Sequence, residues 1–210
     1  DRQMNETTVV LIDDDSAMRK SIDYLIQSIG LRCQSYATAQ EFLDGADPET
    51  PGCILTDVRM PGLSGLDLLE EMRGRAFLSP VIIITGHADV PMAVRAFKSG
   101  ALDFIEKPFN DQMLLDKVQE AIELDVSRRT VLSQRATVMD RLGTLTTRET
   151  EVLERVIAGK ANKEVAADLG LSEKTIEVHR SRVMKKMRAL NAADLIRMVL
   201  EARQTPETIA

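Results

Sequence analysis

Val9-Val10-Leu11-Ile12-Asp13-Asp14-Asp15 runs four apolar residues straight into three carboxylates. The apolar run has the length of a strand covered on both faces. Residues 16–29 follow with Met18, Ile22, Leu25, Ile26 and Ile29 at helical spacing, and Gly30 stops them. The same strand-then-helix unit recurs along the chain. Strands are predicted at 33–36, 53–56, 81–85 and 102–105, and helices at 39–43, 66–73, 92–98 and 112–122. Strands apolar on both faces, alternating with helices, predict an α/β domain built on a doubly wound five-stranded parallel sheet.

In such a sheet the functional site lies beyond the carboxyl ends of the strands. The residues there are Asp13, Asp14 and Asp15 after the first strand, Asp57 after the third, Thr85 after the fourth and Lys107 after the fifth. One Asp after a strand is often a helix cap. Functional residues at four of five strand ends point to a shared site instead. Carboxylates gathered on one rim repel each other unless a cation sits among them, and hard oxygen ligands suit Mg²⁺. A lysine and a hydroxyl on the same rim can bind phosphoryl oxygens, so the chemistry is an Asp nucleophile attacking phosphorus.

Composition narrows the partners. The 210 residues carry 27 Lys and Arg against 33 Asp and Glu, a net charge of −6, with 44% hydrophobic and 3% aromatic residues and no Trp. That content supports a packed core and disfavours a stacking platform for single-stranded nucleic acid. The apolar runs are strand-sized, so no membrane span and no secretion signal are expected, and the reading is a cytoplasmic protein. Cys33 and Cys53 are expected as small buried apolar residues rather than metal ligands. Met4 is read as the natural start of the chain.

The charge divides unevenly. Residues 1–122 hold 11 basic and 20 acidic side chains, net −9, and residues 123–210 hold 16 and 13, net +3. Two domains with different partners are implied. Residues 123–141 lack Pro and Gly, with Leu124, Val131 and Val138 seven apart, as are Leu132 and Met139. They are predicted to be a helical linker able to pair with a second copy.

The remainder is punctuated as helices. Thr146-Thr147-Arg148-Glu149 fits a capping box, a second helix spans about 163–169 to Gly170, Ser172 caps a third over 173–188, and a fourth covers 192–202. Two short helices joined by a Gly-containing turn form a helix-turn-helix. On the third helix Ile176, Val183, Met187 and Leu190 project to the core side. Lys174, Val178, Ser181, Arg182 and Lys185 project opposite. Residues 172–188 hold six basic and two acidic side chains, +4 on one helix of an acidic protein. Lys163, Lys174, Arg182 and Lys185 are the candidates for DNA phosphates, and Glu177, Val178 and Ser181 for base edges.

Residues 7–122 resemble the receiver domain of bacterial two-component response regulators, through Asp13-Asp14, Asp57-Val-Arg-Met-Pro-Gly-Leu-Ser-Gly65, Thr85-Gly86 and Lys107-Pro108-Phe109. The resemblance implies that Asp57 accepts a phosphoryl group from a sensor histidine kinase. It implies that Asp14, Asp57 and the Arg59 carbonyl hold Mg²⁺, with Asp13 acting through a water. Lys107 would pair with the phosphoryl, Thr85 would shift to meet it, and Phe104 would turn inward; the family more often has Tyr there. It further implies a cis Lys107–Pro108 bond, and it makes His87 and Arg59 candidates for tuning the lifetime of the acyl phosphate. Residues 142–203 resemble the LuxR-type DNA-binding domain, through Leu145-Thr146-x-Arg148-Glu149, Asn162-Lys163-Glu164-Val165-Ala166 and Ser172-x-Lys174-Thr175-Ile176-Glu177-Val178-His179.

The pair is similar to the FixJ/NarL class of transcription factors, and the stretches 85–93 and 103–109 look most like its FixJ branch. A phosphorylation-controlled regulator of transcription follows, dimerising on a double-stranded operator, with RNA polymerase a candidate partner. No enzyme activity is implied beyond its own phosphoryl transfer and autodephosphorylation. Two alternatives fit parts of the sequence. Asp13-x-Asp15 also fits a haloacid-dehalogenase-type phosphatase, which makes no use of Asp57 or of the helical half. A helical half that binds protein rather than DNA is the other.

Overall fold

The computed structural model describes residues 7–204, so Met4 lies outside the described residues. The chain divides into two compact units, with the division between Arg129 and Thr130.

The first unit alternates β1 (Thr8–Ile12), α1 (Ser16–Ser28), β2 (Arg32–Tyr36), α2 (Ala39–Gly45), β3 (Gly52–Asp57), α3 (Gly65–Gly74), β4 (Val81–Thr85), α4 (Val90–Lys98) and β5 (Asp103–Glu106). The strands form one parallel sheet in the order β2-β1-β3-β4-β5. Alternate residues feed two cores. Val9, Leu11, Cys53, Leu55, Ile82 and Ile84 meet Ile22 and Ile26 of α1 on one face. Val10, Ile12, Ile54, Val81 and Ile83 meet Phe42, Leu68 and Leu69 of α2 and α3 on the other. The doubly wound parallel sheet is as expected, with one correction. Only the inner strands β1, β3 and β4 are apolar on both faces; β2, at an edge, leaves Arg32, Gln34 and Ser35 exposed. An edge strand has one neighbour and correspondingly less covering.

Cys33 and Cys53 both sit opposite Val9, one on each neighbour of β1. Cys53 is buried and Cys33 half-buried, and both are free thiols. Burial pushes both thiols up, Cys33 to about 12, with Asp23 adding to the effect there.

The helix α5 (Asp111–Gly143) is a single run of 33 residues that includes all of 123–141. Its first part belongs to the receiver-like core through Leu114, Leu115, Val118, Ala121 and Ile122. Beyond these, Asp125 is fully buried; its Oδ2 accepts from Gly52 N–H and from Arg129 Nε, each at 2.8 Å. Arg129 also donates to the carbonyls of Glu49 and Thr50. The later part of α5 serves the second unit.

That unit comprises α6 (Thr147–Ile157), α7 (Asn162–Leu169), α8 (Glu173–Met187) and α9 (Ala192–Arg203). Val152, Leu153, Val156, Val165, Ile176, Val183, Met187, Leu195 and Val199 form its core, with Val138 and Leu142 of α5 against them. The capping box at Thr146 and Glu149 is formed. Arg135 and Arg141 of α5 donate to the carbonyls of Ala202 and Met187, the last turns of α9 and α8. Cations at helix C-termini are favoured by the helix dipole.

Leu190 is a correction. It is 89% exposed, not packed in the core. The helix ends at Met187, and Arg188 adopts a left-handed conformation at φ 54°, which takes Leu190 off the face that a continued helix would give it.

Candidate functional site

Two neighbouring parallel strands deliver the acidic rim. Asp13 follows β1, and Asp57 is the last residue of the neighbouring β3. Each of Asp13, Asp14 and Asp57 offers an oxygen, and the three lie within 4.8 Å of one another. Asp13 is buried, Asp57 half-buried and Asp14 exposed.

Lys107 lies one residue beyond β5, and its Nζ is 2.7 Å from Asp13 Oδ2 and 2.7 Å from Asp57 Oδ2. Burial alone would lower this ammonium, but the hydrogen bonds and charges of Asp13 and Asp57 outweigh it and hold Lys107 above its ordinary value. The Lys107–Pro108 bond is cis, as expected. Lys107 N–H donates to the carbonyl of Thr85 at 2.8 Å, so the backbone that bears the ammonium is tied to the end of β4.

The remaining contacts fix the carboxylates. Asp13 Oδ1 accepts from Asp15 N–H at 2.8 Å, and Asp57 Oδ1 accepts from Arg59 N–H at 3.0 Å. Asp15 itself caps α1 by accepting from Ala17 N–H at 2.8 Å and Met18 N–H at 3.3 Å, and these bonds hold its carboxyl below the usual range. Asp15 thus serves as the N-cap of α1. Thr85 is buried, with its Oγ1 accepting from His87 N–H at 3.4 Å. Phe104, one strand over, is half-buried against the core that contains Ile83.

Gly65 shows why α3 begins where it does. A Cβ built there would stand 2.1 Å from the carbonyl oxygen of Asp57. Positive φ, the ordinary reason for glycine in such a loop, holds for Gly62 at φ 82° but not for Gly65. Gly65 is needed because the helix start presses on the backbone of Asp57.

Three carboxylates against one ammonium leave an excess of two negative charges in a space lined by oxygen. Such a donor set fits Mg²⁺, which takes few protein carboxylates and completes its shell with water or substrate oxygen.

In the second unit, α7 ends at Gly170 in the left-handed conformation and α8 starts after Ser172, whose hydroxyl accepts from Thr175 N–H. Lys174, Glu177, Val178, Ser181, Arg182 and Lys185 are all exposed on α8, as is Lys163 on α7. Counting charges on the sequence overstated this face. Arg180 turns inward to Asn162 Oδ1 at 2.7 Å, and Lys186 reaches the buried Glu149 at 2.6 Å and the Thr144 carbonyl at 2.9 Å. Two of the six basic residues therefore brace the helix.

Two known families match separate stretches of the chain. Residues 9–119 match the response regulator receiver domain, and residues 143–199 match the luxR family of bacterial regulatory proteins. The chain is similar to the transcriptional regulatory protein FixJ of Azorhizobium caulinodans, 45% identical over 198 residues that cover 94% of each chain. Among solved structures it is similar to the response regulator StyR, with a TM-score of 0.85 and 37% identity over 93% of this chain and 99% of that one. It is also similar to full-length FixJ from B. japonicum, with a TM-score of 0.58 and 40% identity over 94% and 98%.

Proposed function

The chain belongs to the FixJ-like response regulators, transcriptional regulators that join a receiver domain to a LuxR-type DNA-binding domain, and on that premise we propose that Asp57 is the phosphoacceptor and α8 the DNA-reading helix. The observation that carries the first part is Lys107 Nζ at 2.7 Å from both Asp13 and Asp57. A carboxylate paired with a single ammonium on a strand-end rim is a nucleophile with a cation already in place for the charge on an arriving phosphoryl group.

The donor is the phosphohistidine of a sensor kinase. An Asp57 oxygen attacks phosphorus, the P–N bond breaks, and its electron pair stays on the imidazole, which takes up a proton. Asp14, Asp57 and the Arg59 carbonyl would hold Mg²⁺, with Asp13 supporting the site, and the bound cation would supply neutralisation of charge on the transferring group. Lys107 exchanges its contact with Asp57 for a phosphoryl oxygen and keeps Asp13. The Thr85 hydroxyl turns towards the phosphoryl, and Phe104 moves into the space this opens. His87 and Arg59 flank the site and set how readily water attacks the acyl phosphate.

The response is dimerisation and binding to a double-stranded operator, with Lys163, Lys174, Arg182 and Lys185 on phosphates and Glu177, Val178 and Ser181 at base edges. Val90, Val94 and Phe97 support dimerisation, because they lie exposed at helical spacing on α4 and give a second copy an apolar stripe to cover. RNA polymerase is the partner that turns operator binding into transcription, and these partners place the protein in the cytoplasm. No helix of the described residues is long and apolar enough to cross a membrane.

The test is genome-wide binding with and without a small phosphodonor. Wild type gains discrete sites with the donor, and Asp57→Asn does not. Donor-stimulated binding that survives Asp57→Asn would refute the coupling.

A further inference from the structure

Arg19, in the second turn of α1, donates from Nη1 to the backbone carbonyl of Asp13 at 2.6 Å. It forms no salt bridge with any carboxylate of the described residues. Its one hydrogen bond among the described residues goes to the peptide that joins Asp13 to Asp14, while its charge also favours the Asp15 carboxylate. A charged donor on a carbonyl makes a short hydrogen bond, roughly twice as strong as a neutral one.

This peptide matters because of what its two residues lack or possess. Asp13 is pinned on both carboxylate oxygens, by Asp15 N–H at 2.8 Å and by Lys107 at 2.7 Å. Asp14 is exposed, and its carboxylate accepts no hydrogen bond within the described residues. Nothing but its own backbone aims it. Past Ile12, the last paired residue of β1, the Asp13 N–H still donates to the Tyr36 carbonyl at 3.3 Å, and the Asp13 carbonyl accepts from the Arg19 guanidinium.

We propose that Arg19 is a positioning residue for the divalent cation: it locks the Asp13–Asp14 peptide so that Asp14 faces the cation site, and its charge offsets the repulsion within the carboxylate triad. The inference rests on the reading of Asp13, Asp14 and Asp57 as a metal site. Outer partners that orient ligating carboxylates typically contribute 10- to 100-fold to metal affinity.

The experiment is Mn²⁺ binding to the full chain, read from the electron paramagnetic resonance of free Mn²⁺, with Mg²⁺ as competitor. Wild type binds, and Asp14→Asn loses binding. Arg19→Ala raises Kd about 10-fold, and Arg19→Lys, which keeps the charge and a donor, recovers most of the loss. With acetyl phosphate as donor, so that no kinase surface is involved, Arg19→Ala labels slowly at low Mg²⁺ and approaches wild type at saturating Mg²⁺. Arg19→Gln carries the same comparison if Arg19→Ala does not fold, and metal-free thermal unfolding shows which variants are intact. A wild type that binds no Mn²⁺, or an Asp14→Asn that binds normally, overturns the metal site itself. A functioning site in which folded Arg19→Ala and Arg19→Gln bind within twofold of wild type overturns the role of Arg19 alone.

Discussion

Gly52 N–H donates to Oδ2 of Asp125 at 2.8 Å, joining the first residue of β3 to a helical residue 73 positions later. Arg129 Nε meets the same oxygen, while Asp125 Oδ1 has no partner among the described residues. Gly52 has no alternative side chain, because a Cβ there would stand 1.9 Å from the Thr8 carbonyl oxygen. A buried carboxylate thus ties α5 to the start of β3, at the end of the sheet opposite the acidic rim.

Removing one partner of a buried ion pair typically costs 3–5 kcal/mol. Asp125→Ala is therefore expected to lower the unfolding free energy by about 3 kcal/mol, measured by urea titration of the full chain followed by circular dichroism. Arg129→Ala strands the carboxylate and falls in the same range. A change below about 0.5 kcal/mol, the scale of an ordinary surface substitution, would show the contact to be idle.

Two glycines of α3 separate close approach from helix propensity. Gly65→Ala collides with the Asp57 carbonyl and should destabilise by more than ~2 kcal/mol while slowing acyl-phosphate formation. Gly74→Ala meets nothing within 4 Å and lies at a helical position, so a gain of about 0.5 kcal/mol is expected. Thermal unfolding with phosphodonor labelling reads both.

Glu149 gives the second unit an acid sensitivity. The hydrogen bond from Lys186 and then that from Thr146 N–H hold its carboxyl below the ordinary 4.5, against the effect of burial. A depressed folded value means that this stabilisation is complete above pH 4.5 and is lost as pH falls through the lower folded value. Glu149→Gln should be less stable than wild type at pH 6 and show a shallower decline towards pH 3. Parallel declines in the two proteins would assign the acid sensitivity elsewhere.

The basic residues of α8 should separate by assay. Lys174→Ala, Arg182→Ala and Lys185→Ala are each expected to reduce the slope of log K against log salt by about 1. Arg180→Ala and Lys186→Ala should lower the melting temperature and leave that slope nearly unchanged, because their side chains are engaged with Asn162 and Glu149. Val178→Ala is expected to relax preference at a single base pair rather than change the slope.

The inner strands were legible because Val9–Ile12 and Val81–Ile84 are apolar on both faces, and the rim residues because their strand-end position follows from parallel topology. What escaped were polar contacts made across long sequence separations. A charged residue within a helical pattern reads as solvent-facing, so nothing local marks Asp125 as fully buried or Arg180 and Lys186 as braces. Arg19 hid in the same way, since only the folded β1–α1 turn brings the Asp13 carbonyl within its reach. Leu190 failed for a different reason. Projection assumes the helix continues, and a left-handed Arg188 has no signal as clear as the glycine that ends α7.

The two thiols flanking Val9 have a practical side. With burial raising the Cys33 thiol to about 12 and Cys53 buried, both native thiols are held in the unreactive thiol form at neutral pH. The chain has no other cysteine. A single cysteine introduced at an exposed position such as Val94 or Ser181 can therefore be labelled with maleimide against a silent native background. Spin or fluorescent reporters can follow α4 and α8 through a phosphorylation cycle without first rebuilding the sheet that holds the native thiols.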